Sequence, residues 1–440
     1  MSAARLPVPG LTTPSRPKKI SHTERTLANG LRVIVVRRPS VPMAEVRLTI
    51  PFFSTKPTHY ARSLLLSATM LTGTGQHDRL GLAVASGQLG AEINVGVDAD
   101  RLQVSTSALA TELAPLLELV ADVVGNATYP RAEVAGERSR LVERTKVSRS
   151  QAGTIASDAF ARRLLPGHPY GQTLPDEKQI ADTTPAQLRA LHRAMVRPHG
   201  ATLILVGDLN ANRAVDLAER IFGDWTGTPA VSKPKPVPTV GRQPLLVIDR
   251  PGSVQTSFRF GGPALTRSDP DYPALQLANL AFGGYFSSRW VENIREDKGY
   301  SYSPRSLIDH ARLGSSFELV ADVATEVTAS AVLETLYELG RIASAPISPT
   351  ELDSVQQYAI GSLALATSTQ AGLAAQLSVL VSAGLDVDWL TAHPARLLKV
   401  TAEQVADAAA RYLAPQRLLG VAVGDAGQIT EPLSAIIDLA

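Results

Sequence analysis

Two segments of this 440-residue chain carry one pattern. Thr184–Asn210 reads TPAQLRALHRAMVRPHGATLILVGDLN, and Thr401–Gly427 reads TAEQVADAAARYLAPQRLLGVAVGDAG. Thr184 pairs with Thr401, Pro198 with Pro415 and Gly207 with Gly424, each at an offset of 217 (401−184, 415−198, 424−207). Each copy offers a threonine N-cap, an amphipathic helix, a proline that ends it, an apolar strand and a Gly-Asp turn. Three anchors at one offset imply an internal duplication. The chain must then fold as two like halves, not around one core.

The halves also open alike. The strand Leu31–Val36 runs into Arg37-Arg38-Pro39, and Leu245–Ile248 runs into Asp249-Arg250-Pro251. Further strands are expected at Ala44–Ile50 and Thr256–Phe260. Helices are expected at Tyr60–Thr72, Arg79–Gln88, Tyr272–Phe282 and Ser287–Lys298, and strands at Ala91–Val97, Arg101–Ser107, Tyr300–Ile308 and Gly314–Val320. Elements in grouped runs, without strict βαβ alternation, indicate an α+β fold with a mixed or antiparallel sheet covered by helices on one face. The division expected is a flexible arm over 1–22, a first half-domain over 23–226, a Pro-rich linker over 227–243 and a second half-domain over 244–440. The linker, GTPAVSKPKPVPTVGRQ, lacks apolar periodicity and permits a clamshell arrangement.

Composition narrows the function. The chain has no cysteine, which excludes disulfides, thiolate metal sites and a cysteine nucleophile. Net charge is +2 with no basic stripe interleaved with aromatics, so nucleic acid is not an expected partner. The N-terminus lacks an apolar signal core. Gln356–Leu385 is uncharged, but Ser, Thr, Gln and Gly recur through it, which suits buried helices better than a lipid-facing span. A cytoplasmic protein without a membrane segment is expected.

Four stretches bear on chemistry. Ala61–Gly75, ARSLLLSATMLTGTG, reads as a buried helix closing on a Gly-Thr-Gly turn. The others are ERTLANGLRVIVVRRPS near the start, PGHPYGQTLPDEKQIADTTPAQLRALH from Pro166, and FGGYFSSRWVENIREDKGYSYSPRS over Phe282–Ser306. Together they resemble the pitrilysin-like (inverzincin) metallopeptidase family across about Glu24–Leu433. In that family the first helix carries His-x-x-Glu-His, followed after four residues by Gly-Thr; the histidines bind zinc and the glutamate polarises water. Anchored on Gly73-Thr74, those three positions are Leu64, Ser67 and Ala68 here, none a plausible ligand or base. The third ligand of the family, a glutamate on a later helix, would correspond to Glu137 or Glu143 on the helix expected at Val134–Ser148. The edge strand along which the family's substrates add would contain Asn94.

The resemblance implies two α/β half-domains that form half of a peptide-sized chamber. It further implies a heterodimer in which a homologous partner holds the zinc and this chain, with no cofactor of its own, supplies Arg295 and Tyr302. Guanidinium and phenol are both donors suited to a peptide carbonyl. The competing readings are a surface salt bridge for Arg295, which neighbours Glu292, Glu296 and Asp297, and an ordinary strand tyrosine for Tyr302. Among the eight histidines no pair has ligand spacing on a helix. The expected function is a zinc-less subunit of a heterodimeric peptidase, inactive alone. The alternatives are a structural core subunit of a larger assembly and a homodimeric peptide-binding protein without catalysis.

Overall fold

The computed structural model describes residues 19–233 and 235–440. Most of the arm expected over 1–22 therefore lies outside the described residues. The first half begins with β1 (Thr23–Thr26), β2 (Arg32–Arg37), β3 (Met43–Pro51), α1 (His59–Thr69) and α2 (Arg79–Gln88). It continues with β4 (Asn94–Val97), β5 (Arg101–Leu109), α3 (Leu113–Asn126), α4 (Arg131–Arg149), α5 (Ala152–Leu164), α6 (Glu177–Ala181) and α7 (Pro185–Met195). It closes on β6 (Thr202–Gly207) and α8 (Ala211–Phe222). The second half runs β7 (Leu246–Asp249), β8 (Gln255–Ala264), α9 (Tyr272–Asn279), α10 (Arg289–Val291), β9 (Arg305–Ala311) and β10 (Gly314–Ala324). Then come α11 (Thr328–Ser344), α12 (Pro349–Ala366), α13 (Gln370–Ser382), α14 (Trp389–Leu397), α15 (Ala402–Tyr412), β11 (Leu419–Gly424) and α16 (Ala426–Ser434).

The fold is α+β, with two mixed sheets. Their strand orders are β1-β2-β6-β3-β5-β4 and β7-β11-β8-β10-β9. With β1 set aside, the first order lies strand for strand on the second. Orientation agrees too. β2 is parallel to β6, β7 is parallel to β11, and the other pairs of the two sheets are antiparallel.

Local chemistry accounts for the matching segments. Thr184 and Thr401 each form a capping box: the hydroxyl accepts from the N–H of Gln187 or Gln404, whose side chain accepts from the threonine N–H. β6 and β11 are buried along their whole length. At their ends a Cβ on Gly207 would stand 2.3 Å from Met43 O, and one on Gly424 2.5 Å from Thr256 Oγ1, so only glycine fits.

The sheets are covered on both faces, not on the one expected, because the second cover comes from the opposite half. On β2, Val33 and Val35 face the core built with α1, α3, α7 and α8, while Ile34 and Val36 face a second cluster. That second cluster contains Leu373, Ala374, Leu377 and Leu380 of α13. Reciprocally, α5 of the first half lays Ala156, Phe160 and Leu164 on Leu419, Val421 and Val423 of β11. The exchanged helices begin at Ala152 and Gln370, an offset of 218 (370−152). Polar bonds pin them. Thr49 Oγ1 and Ser378 Oγ are 3.1 Å apart in the interior, Arg101 donates to Ser378 O at 3.0 Å, and Arg163 donates to Gly420 O at 2.8 Å.

The uncharged stretch Gln356–Leu385 is thus the body of α12 and α13, which meet at 110°. Among the described residues no single helix is long and apolar enough to cross a membrane. Between Gly223 and Leu245 the described residues form no helix or strand. This connection lies on the first half through Ala230 N to Ala194 O (2.8 Å) and Ser232 N to Phe53 O (3.1 Å).

Candidate functional site

Helix α1 turns Ala61, Leu65, Leu66 and Thr69 into the first core. Leu64, Ser67 and Ala68, at i, i+3 and i+4, share a half-buried face. The Ser67 hydroxyl donates back to Leu64 O at 3.0 Å. A leucine, a self-bonded serine and an alanine offer no lone pair arranged for a cation. The Gly-Thr pair after the helix has a structural use: Gly73 sits where a Cβ would meet Thr128 and Pro130 at 3.0–3.1 Å. The Thr74 hydroxyl accepts from Gln76 N and His77 N.

Both candidate carboxylates on α4 are engaged. Glu137 accepts from Arg140 at 2.6 Å and lies 3.8 Å from Arg79. The bond from Arg140 holds its carboxyl below the usual range. Glu143 is exposed and pairs with Lys146 at 2.8 Å. Among the described residues no group of three or more His, Cys, Asp or Glu side chains is placed to hold a metal ion. Asn94 begins β4, an edge strand hydrogen-bonded only to β5, and its side chain is exposed.

Arg295 and Tyr302 are brought together. The Arg295 guanidinium lies 5.3 Å from the Tyr302 ring centroid and 4.3 Å from that of Phe286. Tyr302 is 85% exposed. Arg295 Nε also stands 3.3 Å from Glu296 Oε1, so its acidic neighbourhood takes one edge of the fork. A guanidinium lying over a ring uses its π face there and keeps its in-plane N–H groups as donors.

The backbone that carries them differs from the expectation in two places. The helix expected over Ser287–Lys298 is a short α10 followed by a π-helical turn, Glu292–Asp297, in which Lys298 N reaches back to Asn293 O. Wide turns of this kind recur at functional sites. Tyr302 is not on a strand: β9 starts only at Arg305. The N–H groups of Tyr300 and Ser301 both bond Ile294 O, wrapping the helix end where a ladder was expected. Pro304 has no N–H to contribute. Gly299 makes that wrap at φ +66°, the left-handed C′ conformation that glycine adopts without strain.

This platform is firmly seated. Arg289 binds Glu351 through two 2.7 Å bonds. Asn293 donates to Glu334 and Glu338 at 3.0 Å, and buried Trp290 donates to Thr335 and stacks on Phe282. Gly283 and Gly284 are packing residues: a Cβ at Gly283 would lie 2.8 Å from Trp290 and one at Gly284 2.8 Å from Asn279. Phe286 was not singled out in the sequence. Its signal, a large aromatic beside the Gly-Gly turn, becomes meaningful only once the fold sets it under Arg295.

The histidines serve packing. His192 accepts from Tyr129 Oη at 2.7 Å and donates to Val124 O at 2.9 Å. His393 donates to Gln276 at 2.7 Å and stacks on Trp389, and His310 bonds Ser315 and Tyr272. Burial lowers His192 to about 4 and His310 and His393 to about 3, so all three are neutral at pH 7. His168 is buried in its turn, with Nδ1 accepting from Tyr170 N.

Residues 182–358, which include Arg295 and Tyr302 but not α1, match the family model described as Peptidase M16 inactive domain. An uncharacterized zinc protease of Mycobacterium leprae is 26% identical over 321 residues, 69% of this chain and 72% of its own length. A probable inactive metalloprotease of Bacillus subtilis is 25% identical over 227 residues, 48% of this chain and 51% of that one. The crystal structure of a peptidase M16 inactive domain from Pseudomonas fluorescens aligns with TM-score 0.85 at 25% identity, covering 92% of this chain and 98% of that chain. Two like-ordered sheets and these matches make the chain similar in fold to the M16 peptidase inactive domains, with residues 182–358 matching that family model directly.

Proposed function

We propose that this protein is the zinc-less subunit of a heterodimeric peptidase. It completes the chamber around a partner that carries His-x-x-Glu-His and zinc, and it presents Arg295 and Tyr302 to the peptide. The observation that carries this reading is the pairing of an α1 face without ligands with a half-buried Arg295 set between the exposed rings of Tyr302 and Phe286. The free N–H edges of Arg295 are donors for a substrate carbonyl, and the Tyr302 hydroxyl is a second. Donors aimed at a carbonyl stabilise charge as it grows on the oxygen. Zinc on the partner would supply the polarised water.

The test is peptide turnover by the chain alone and with such a partner. The chain alone is expected to be inactive. In the mixture, Arg295→Ala is expected to lower kcat/KM by about 100-fold and Tyr302→Phe by about tenfold, with complex formation unchanged by sedimentation. Chelator-sensitive peptidase activity from the isolated chain overturns the proposal. Wild-type turnover by the Arg295→Ala complex would instead favour a structural role in an assembly.

A further inference from the structure

A cavity of 410 Å³ opens on the first half, away from the Arg295–Tyr302 cluster. It lies among the N-terminal end of α1, the last turns of α4 and α5, the His168–Gly171 turn and the connection between the halves. Its volume is that of a small-molecule site. Its charge is one-sided: Lys56, Arg149, Arg162 and Lys235 line it, against the single carboxylate of Asp176. Asp176 is already committed, since it caps α6 by accepting from Gln179 N at 2.8 Å.

The two arginines are held in place from behind. Arg162 Nε meets Asp158 at 2.9 Å. Arg149 Nε meets Glu177 at 3.3 Å, and its Nη2 donates to Pro175 O at 2.9 Å. The two contacts of Arg149 fix its guanidinium plane, and the single ion pair of Arg162 tethers its Nε end. Among the described residues they leave both terminal nitrogens of Arg162 and Nη1 of Arg149 without a protein acceptor. Lys56 and Lys235 are exposed, and no described carboxylate lies within 4.0 Å of either.

We infer that this cavity binds a small anion bearing a phosphate group, with two or more negative charges. Guanidinium edges match the oxygens of a phosphate, and two exposed ammonium groups add point charges around it. Asp158 and Glu177 offset the two arginines from behind, so the unpaired charge facing the cavity is that of Lys56 and Lys235, which a dianion matches. Lys235 belongs to the connection between the halves, so the anion would tie that segment to α4 and α5.

The probe is pyrophosphate, titrated calorimetrically into the full chain at fixed ionic strength, with inorganic phosphate and succinate for comparison. Saturable binding at one site per chain is expected, tighter for pyrophosphate than for phosphate and weakest for succinate. Lys56→Gln and Arg162→Gln are each expected to weaken pyrophosphate binding by about tenfold, and the double variant by about 100-fold. Lys56 is exposed, so its variant keeps the fold. Lys178→Gln makes the same change of charge outside the cavity and should leave the affinity unaltered. No saturable binding by 10 mM (about 3 kcal/mol of affinity), equal binding of succinate, or equal losses in Lys56→Gln and Lys178→Gln would each overturn the inference.

Discussion

Phe160→Ala is expected to cost about 3–5 kcal/mol and to lower the unfolding midpoint of both halves together. Phe160 is 4% exposed, on a helix that belongs to the first half by sequence and to the second sheet by contact. Its ring reaches so close to β8 that a Cβ at Gly261 would lie 2.7 Å from it. Truncation removes that ring and leaves a void between α5 and β11. The reciprocal change, Leu377→Ala, is expected to cost about 2–5 kcal/mol, through loss of contact with the first sheet. Because each half supplies a cover for the other, neither sheet keeps both faces dry alone. Hydrogen exchange resolved by segment checks this. Phe160→Ala should reduce protection in β6 as well as in β11. Loss confined to the second sheet would mean that the halves unfold independently.

The second large effect is a loss of stability in mild acid. His192 and His393 are buried and neutral, with values lowered to about 4 and about 3 by burial. An unfolded histidine titrates near 6.5. Between those values the unfolded chain binds protons that the folded chain does not, so stability falls as pH falls. The contribution is fully present above about pH 6.5 and is lost progressively below it. Each of the two removes about 2 kcal/mol by pH 5. His310, less buried, adds a smaller amount in the same direction. About 4 kcal/mol is a large part of the 5–15 kcal/mol typical of a folded protein. Glu24 and Glu137, whose carboxyls are held low by arginines, lose their protective charge only below the carboxylate range, so the interval from pH 6.5 to 5 isolates the histidines. Chemical denaturation at pH 7.5, 6 and 5 measures this directly. A flat profile across that interval would show that these rings protonate in place.

What the sequence made legible was local. Thr184 and Thr401 each answer a backbone need that a small hydroxyl side chain meets well, and each stands where an N-cap was read. The α1 face could be judged because Leu64, Ser67 and Ala68 are fixed by spacing from Gly73-Thr74. Tyr302 was harder. Tyr-Ser-Tyr alternates like a strand, and only tertiary context shows that the amides before it go to Ile294 O. The exchange of α5 and α13 was out of reach. An unbroken apolar run such as Val33–Val36 signals cover on both faces, but it does not say which helix provides it.

The two acidic side chains of α4 carry a last consequence. Glu137 is clasped by Arg140 and Arg79, and Glu143 by Lys146. Placing imidazoles at positions 64 and 68 would therefore supply two neutral nitrogens while Glu137 and Glu143 on α4 stayed paired with their own cations. A dication arriving there would have to evict a guanidinium or an ammonium before it could be gripped. A metal site built on α1 would therefore call for rewriting the charge on α4 as well.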